Sequence, residues 1–143
     1  CCDWCRFHQS YSSYQNALWT GRSTTKNLEY KSHKLFDFFN SVYEEKLKDK
    51  KFDLITPNKS QERGSHISLY HNDAWRISKC LVSPINNTSI KIIVDYRPDN
   101  IIRIALTPLY TSFKDIIILC ERIIEIVNTK EFEQKDSLKE GVT

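Results

Sequence analysis

A chain of 143 residues with 40% hydrophobic and 12% aromatic side chains carries enough apolar material for one folded domain and too much for global disorder. Its 21 basic and 18 acidic residues leave a formal charge of +3, with no basic stripe of the kind that nucleic-acid binding needs. No apolar run approaches the roughly 20 residues that span a bilayer.

The N-terminal stretch CCDWCRFHQSYSSYQNALWTGRSTTK, residues 1–26, has neither helical nor strand period and is expected to be irregular. Asp3, Arg6 and His8 break any apolar segment of a secretory leader. Cys2, Cys5 and His8 offer three ligands where zinc usually takes four, so no metal is expected there. Five cysteines, crowded at Cys1, Cys2 and Cys5 with Cys80 and Cys120 apart, do not form a disulfide framework. We read the compartment as reducing, and the overlapping sequons from Asn86 to Ser89 as a polar loop.

From Asn27 the pattern turns helical. Leu35, Phe39, Val42, Tyr43 and Leu47 recur at helical spacing to about Leu47, with Lys and Glu on the opposite face. The run KLKDKK reads as a solvated turn. Phe52–Thr56 reads as a strand stopped by Pro57, and Gly64, in the loop that follows, as a residue in a conformation other side chains resist. His66–Tyr70 alternates as a second strand with Ile67 and Leu69 on one face. Asn72 or Asp73 then caps a helix through about Val82, with Ala74, Ile77 and Leu81 along one side.

The segment Ser89–Ser112 holds two short apolar strands about a turn at Arg97-Pro98-Asp99-Asn100, where Pro98 suits the first corner of a type I turn. Alternation puts Ile102, Ile104 and Leu106 on a core face and Ile101, Arg103 and Ala105 on the other. A permanently charged guanidinium beside a small residue is an anchor for an anionic group. The same spacing also allows an ion pair of Arg103 with Asp95 or Asp99 that only orders the hairpin. Finally, Ser112 and Asp115 resemble a capping box opening a helix with a stripe of Phe113, Ile116, Ile117, Cys120, Ile123, Ile124 and Val127. The tail beyond Glu133 is polar and expected to fray.

The element order is that of a small α+β domain, with helices on one face of a mostly antiparallel sheet. The other face is left to water or a partner, and an exposed apolar surface there would suit a non-catalytic interaction or dimerisation module. Three glycines exclude phosphate-cradling loops, and no nucleophile elbow is present. His33, His66 and His71 are scattered without metal-ligand spacing. His66 and His71 flank a strand and could approach a ligand, although an exposed or hydrogen-bonded role suits them better. Cys80 and Cys120 fit helix cores, with nothing nearby to lower a thiol pKa.

Three ordered blocks carry a family resemblance. Arg97-Pro98-Asp99-Asn100-Ile101-Ile102-Arg103 followed by Thr107-Pro108-Leu109-Tyr110-Thr111-Ser112-Phe113 resembles the C-terminal signature of kynureninases, R-x-P-(D/N)-x-(I/L)-R and (T/V)-P-L-Y-(T/N)-S-F, with Pro98 here following Arg97 directly. Asn27-Leu28 with Lys31-Ser32 and Leu35 is similar to the family's L-R-x-K-S-x-x-L. Ile55-Thr56-Pro57 and Arg63-Gly64-Ser65-His66-Ile67-Ser68-Leu69 are similar to its T-P and R-G-(S/C)-Q-(L/V)-(S/T)-(L/I).

The resemblance implies the small C-terminal domain of a homodimeric, cytoplasmic, pyridoxal-phosphate-dependent hydrolase. Such an enzyme cleaves L-kynurenine or 3-hydroxykynurenine to an anthranilate and L-alanine, in tryptophan catabolism and NAD biosynthesis. It implies that Arg103 holds the substrate carboxylate. It also implies that the Schiff-base lysine and the other cofactor-binding groups belong to a large domain, no motif of which is found here. We therefore expect residues 27–133 to form the small domain, 134–143 a polar tail, and turnover to need the missing cofactor domain or a full-length subunit.

Overall fold

A computed structural model describes residues 25–59, 62–85 and 90–134. Cys1, Cys2, Cys5, His8 and the sequons at 86–89 lie outside these. The elements are α1 (Thr25–Val42), β1 (Asp53–Leu54), β2 (His66–Tyr70), α2 (Ala74–Val82), β3 (Asp95–Arg97), β4 (Ile101–Ala105) and α3 (Phe113–Asn128), with a closing 3₁₀ turn Glu131–Gln134. The strands form one antiparallel sheet in the order β1-β2-β4-β3. The α+β architecture inferred from the element order is the one observed.

Strand alternation builds the core. Ile67, Leu69, Ile102, Ile104 and Leu106 are buried together with Leu35, Phe39 and Val42 of α1, Ile77 and Leu81 of α2, and Ile116 and Ile123 of α3. All three helices therefore cover one sheet face. α1 runs on through a π-helical turn, Tyr43–Leu47, and a 3₁₀ turn, Lys48–Lys50. Tyr43 is buried, and its hydroxyl donates to the Phe52 carbonyl at 2.8 Å and accepts from the Leu54 amide at 3.2 Å. Leu47, within the charged run, is fully buried, so that run is solvated on one side only.

Several local expectations are corrected. The first predicted strand contracts to Asp53–Leu54, because β1 pairs with β2 only at Asp53↔Tyr70 and Leu54↔Leu69. Gly64 is not in the left-handed region, and a Cβ there would meet only His66 Nδ1 at 4.0 Å, so glycine is not required. The hairpin turn is not type I: Asp99 and Asn100 have φ of 70° and 61°, whereas type I needs a negative φ at both corners. Asp and Asn tolerate this conformation better than other non-glycine residues. The capping box forms as expected, Ser112 Oγ accepting from the Asp115 amide and Asp115 Oδ2 from the Ser112 amide. The buried face of α3, however, adds Leu119, Arg122 and Ile126, while Ile117, Ile124 and Val127 are half-buried. Phe132 of the closing turn also packs on the core.

His71 turns inward at the end of β2. Its ring stacks on Phe52 with centroids 4.5 Å apart, and its Nδ1 accepts from the Asp73 amide at 3.0 Å, ordering the start of α2. Burial pushes its pKa below the ordinary 6.5, opposed by the nearby Asp73 carboxylate and a hydrogen bond to the Lys50 backbone, with Lys51 adding to the lowering. The folded state thus holds the ring neutral while the unfolded chain begins to take up a proton near pH 6.5. This contribution to stability is intact above that pH and declines as the pH falls towards the depressed folded value. His71→Gln, which keeps an acceptor and cannot titrate, should flatten the drop in thermal midpoint between pH 7.5 and 5.5. An undiminished drop in the variant would place the titrating group elsewhere.

Candidate functional site

The face of the sheet turned away from the helices carries the candidate site. Along β2 the outward positions are His66, Ser68 and Tyr70, and along β4 they are Ile101, Arg103 and Ala105. Residues 91–97 alternate in burial, with 92, 94 and 96 half-buried and 91, 93, 95 and 97 exposed. The outward side of the β3 edge is therefore Ile93, Asp95 and Arg97. Only Asp95–Arg97 of this extended run enters the ladder, since the Ile92 amide turns to the Leu81 carbonyl at 2.8 Å.

Register decides what Arg103 meets. A three-residue loop, Pro98 to Asn100, makes Arg97 face Ile101 and places Asp95 directly opposite Arg103. Asp95 Oδ2 accepts from Arg103 Nη2 at 2.7 Å and from Arg97 Nε at 2.9 Å. Of the two carboxylates that spacing allowed, Asp95 is the partner, and Asp99 sits in the turn. The pair occupies one terminal nitrogen and leaves the Arg103 side chain 36% exposed. At that exposure the pair contributes at most ~1 kcal/mol. Two guanidinium groups share one carboxylate, so the trio keeps a charge of +1. Arg103 Nε is buried and has no acceptor among the described residues. The site is an electropositive spot on an open face, able to hold an anion.

The other candidates separate. His66 is exposed on the same face beside Ala105, whereas His71 is spent inside the domain. His33 is half-buried on α1. Cys80 and Cys120 are buried in α2 and α3, and burial pushes the Cys120 thiol up to about 12, which suits packing and not nucleophilic attack. Among the described residues no group of three or more His, Cys, Asp or Glu could hold a metal, and no helix is long and apolar enough to cross a membrane.

The expected exposed apolar sheet face is also corrected. Its outward positions are mostly polar, and the most exposed large apolar side chains, Ile93 (92%), Tyr110 (77%) and Leu109 (69%), lie in the segments flanking β3 and β4. Period-two alternation outside the hydrogen-bonded strands puts Ile93 there. Sequence reading also missed Ser68 as the residue facing Arg103. Its alternation with Ile67 and Leu69 marked it as outward, but only the β2–β4 register identifies its neighbour.

The sequence model described as the kynureninase C-terminal domain matches residues 28–123. Kynureninase of Pseudomonas fluorescens is 31% identical over 108 residues, covering 76% of this chain and 24% of that protein. Kynureninase of Geobacillus thermodenitrificans strain NG80-2 is 31% identical over 117 residues, 82% of this chain and 26% of its own length. That of Burkholderia mallei strain SAVP1 is 31% identical over 100 residues, 70% and 23%. The chain spans about a quarter of the length of the curated relatives it matches.

Proposed function

The chain belongs to the kynureninase family through its C-terminal domain, and on that premise we propose that it supplies the carboxylate-holding part of a kynureninase site. Arg103 receives the α-carboxylate of L-kynurenine or its 3-hydroxy form, whose hydrolysis gives anthranilate or 3-hydroxyanthranilate and L-alanine. The observation that carries this reading is the guanidinium of Arg103 on the open sheet face, sharing a single carboxylate with Arg97. Gripping the amino acid at one end fixes its orientation, and orientation lowers the barrier of the step that follows.

Pyridoxal phosphate is the cofactor expected of the family. A lysine activated for Schiff-base chemistry is held desolvated, and every described lysine is exposed or half-exposed. The described residues do not fit the cofactor. The cofactor therefore belongs to the rest of a kynureninase chain, in a homodimer of the cytoplasm serving tryptophan catabolism and NAD biosynthesis.

The experiment is complementation. This chain is mixed with the N-terminal three quarters of Pseudomonas fluorescens kynureninase, produced separately, and anthranilate release is followed by fluorescence. The wild-type chain should restore hydrolysis of L-kynurenine. Arg103→Ala should lower kcat/KM roughly 10- to 150-fold, the span of hydrogen bonds to a charged group, and Arg103→Lys should fall between, because an ammonium cannot make the planar two-point contact. Restored hydrolysis that is indifferent to Arg103→Ala would remove the carboxylate role.

A second reading, a non-catalytic interaction or dimerisation module, is favoured by exposed Ile93, Leu109 and Tyr110. It requires self-association or capture of a kynureninase subunit, and a chain monomeric at all concentrations with no affinity for that subunit would exclude it.

A further inference from the structure

We propose that Ser68 is a second anchor for the anionic group, seating it on the β2 side of Arg103; this inference rests on the reading of Arg103 as a carboxylate anchor. The two flanks of Arg103 differ in charge. On the β3 side stands Asp95, already bonded to Arg103 and Arg97, and a second carboxylate there would meet like-charge repulsion. On the β2 side the residue directly opposite is Ser68, on the same outward face and half-buried. Cβ atoms of such a facing pair stand about 4.5–5.5 Å apart, so the Ser68 side chain flanks that of Arg103.

The Ser68 hydroxyl is uncommitted among the described residues, while its backbone is pinned twice. Its amide donates to Thr56 Oγ1 at 2.8 Å, and its carbonyl accepts from the Ile55 amide at 2.9 Å. A rigid backbone carrying a free hydroxyl is a donor prepared for a ligand. The room beside it is consistent with this, since Ala105 and exposed His66 are the next facing pair along the same two strands. A carboxylate there would take a charge-assisted bond from Arg103 and a hydroxyl bond from Ser68. Asp95 would hold the guanidinium without admitting the ligand to its own side.

The test uses the full chain labelled with ¹⁵N and titrated with sodium propionate at constant ionic strength, with propionamide as the neutral control. Saturable amide shifts should be larger at Ser68 and Leu69 than at Asp95 and Tyr96, and propionamide should cause none. Ser68→Ala should weaken binding roughly tenfold or more, the worth of one hydrogen bond to a charged group. Ser68→Thr, which keeps the hydroxyl, should restore it, and Asp95→Asn should tighten it. The spectra themselves report whether each variant is folded. Binding that Arg103→Ala abolishes but Ser68→Ala leaves unchanged overturns the Ser68 role and spares Arg103. Binding indifferent to Arg103→Ala, or no saturable shift in the wild type, overturns both.

Discussion

Ile102→Glu should leave the chain unfolded at 25 °C, while Ile101→Glu, one residue away, should leave its thermal midpoint unchanged or slightly raised. Ile102 is fully buried in the sheet's inner face. Removing its side chain alone costs ~2–5 kcal/mol. Burying an unpaired carboxylate adds several kcal/mol, or forces its protonation at a similar cost. Together these reach the ~5–15 kcal/mol that a whole domain has available. Ile101 is half-exposed on the outer face, directly opposite Arg97, where a cross-strand pair of opposite charge contributes ~0.2–1 kcal/mol. Far-UV circular dichroism and thermal melts of the two variants settle the matter. Equal tolerance would mean that the strand is turned over or slipped, and with it the placement of Arg103.

That contrast also marks what is readable from the chain alone. The two faces of β4 are readable because a period of two needs no partner to be seen: Ile102, Ile104 and Leu106 are large and apolar, and their neighbours are not. The choice between Asp95 and Asp99 is not readable, because it depends on loop length. A three-residue connection puts Asp95 across from Arg103, and a slip of one residue would face it with Ile102 and move the carboxylate to the other side of the sheet. Ser68 is hidden for the same reason, since its importance exists only once β2 lies beside β4. On α3 the stripe from Phe113 to Ile123 is visible at helical spacing. The burial of Leu119 and Ile126 follows from α3 being packed by both other helices, which widens its apolar face beyond a single stripe. Arg122 is the clearest failure of sequence reading. A charged residue inside a helical stripe marks the solvent side unless its partners are known, and these come from residues 125 and 131.

Those partners carry the second large effect. The Arg122 side chain is 4% exposed; its Nη1 donates to Glu125 at 2.9 Å and its Nη2 to Glu131 at 2.8 Å. Glu131, nearly buried itself, also accepts from the Ile85 amide at 3.0 Å. One carboxylate thus joins α3, the closing 3₁₀ turn and the segment leaving α2. Glu131→Ala should cost ~3–5 kcal/mol, because Arg122 would remain buried with only the half-exposed Glu125 to neutralise it, and the Ile85 amide would lose its acceptor. Arg122→Leu should cost a similar amount by stranding Glu131. The double variant Arg122→Leu with Glu131→Ala should be more stable than either single one, since no charge is left buried. What it cannot recover is the Ile85 hydrogen bond, worth ~1 kcal/mol. Urea unfolding of the four proteins reads this cycle directly. If Glu131→Ala alone costs under ~1 kcal/mol, the pair is as weak as an exposed one, and the C-terminal turn is held by Phe132 packing instead.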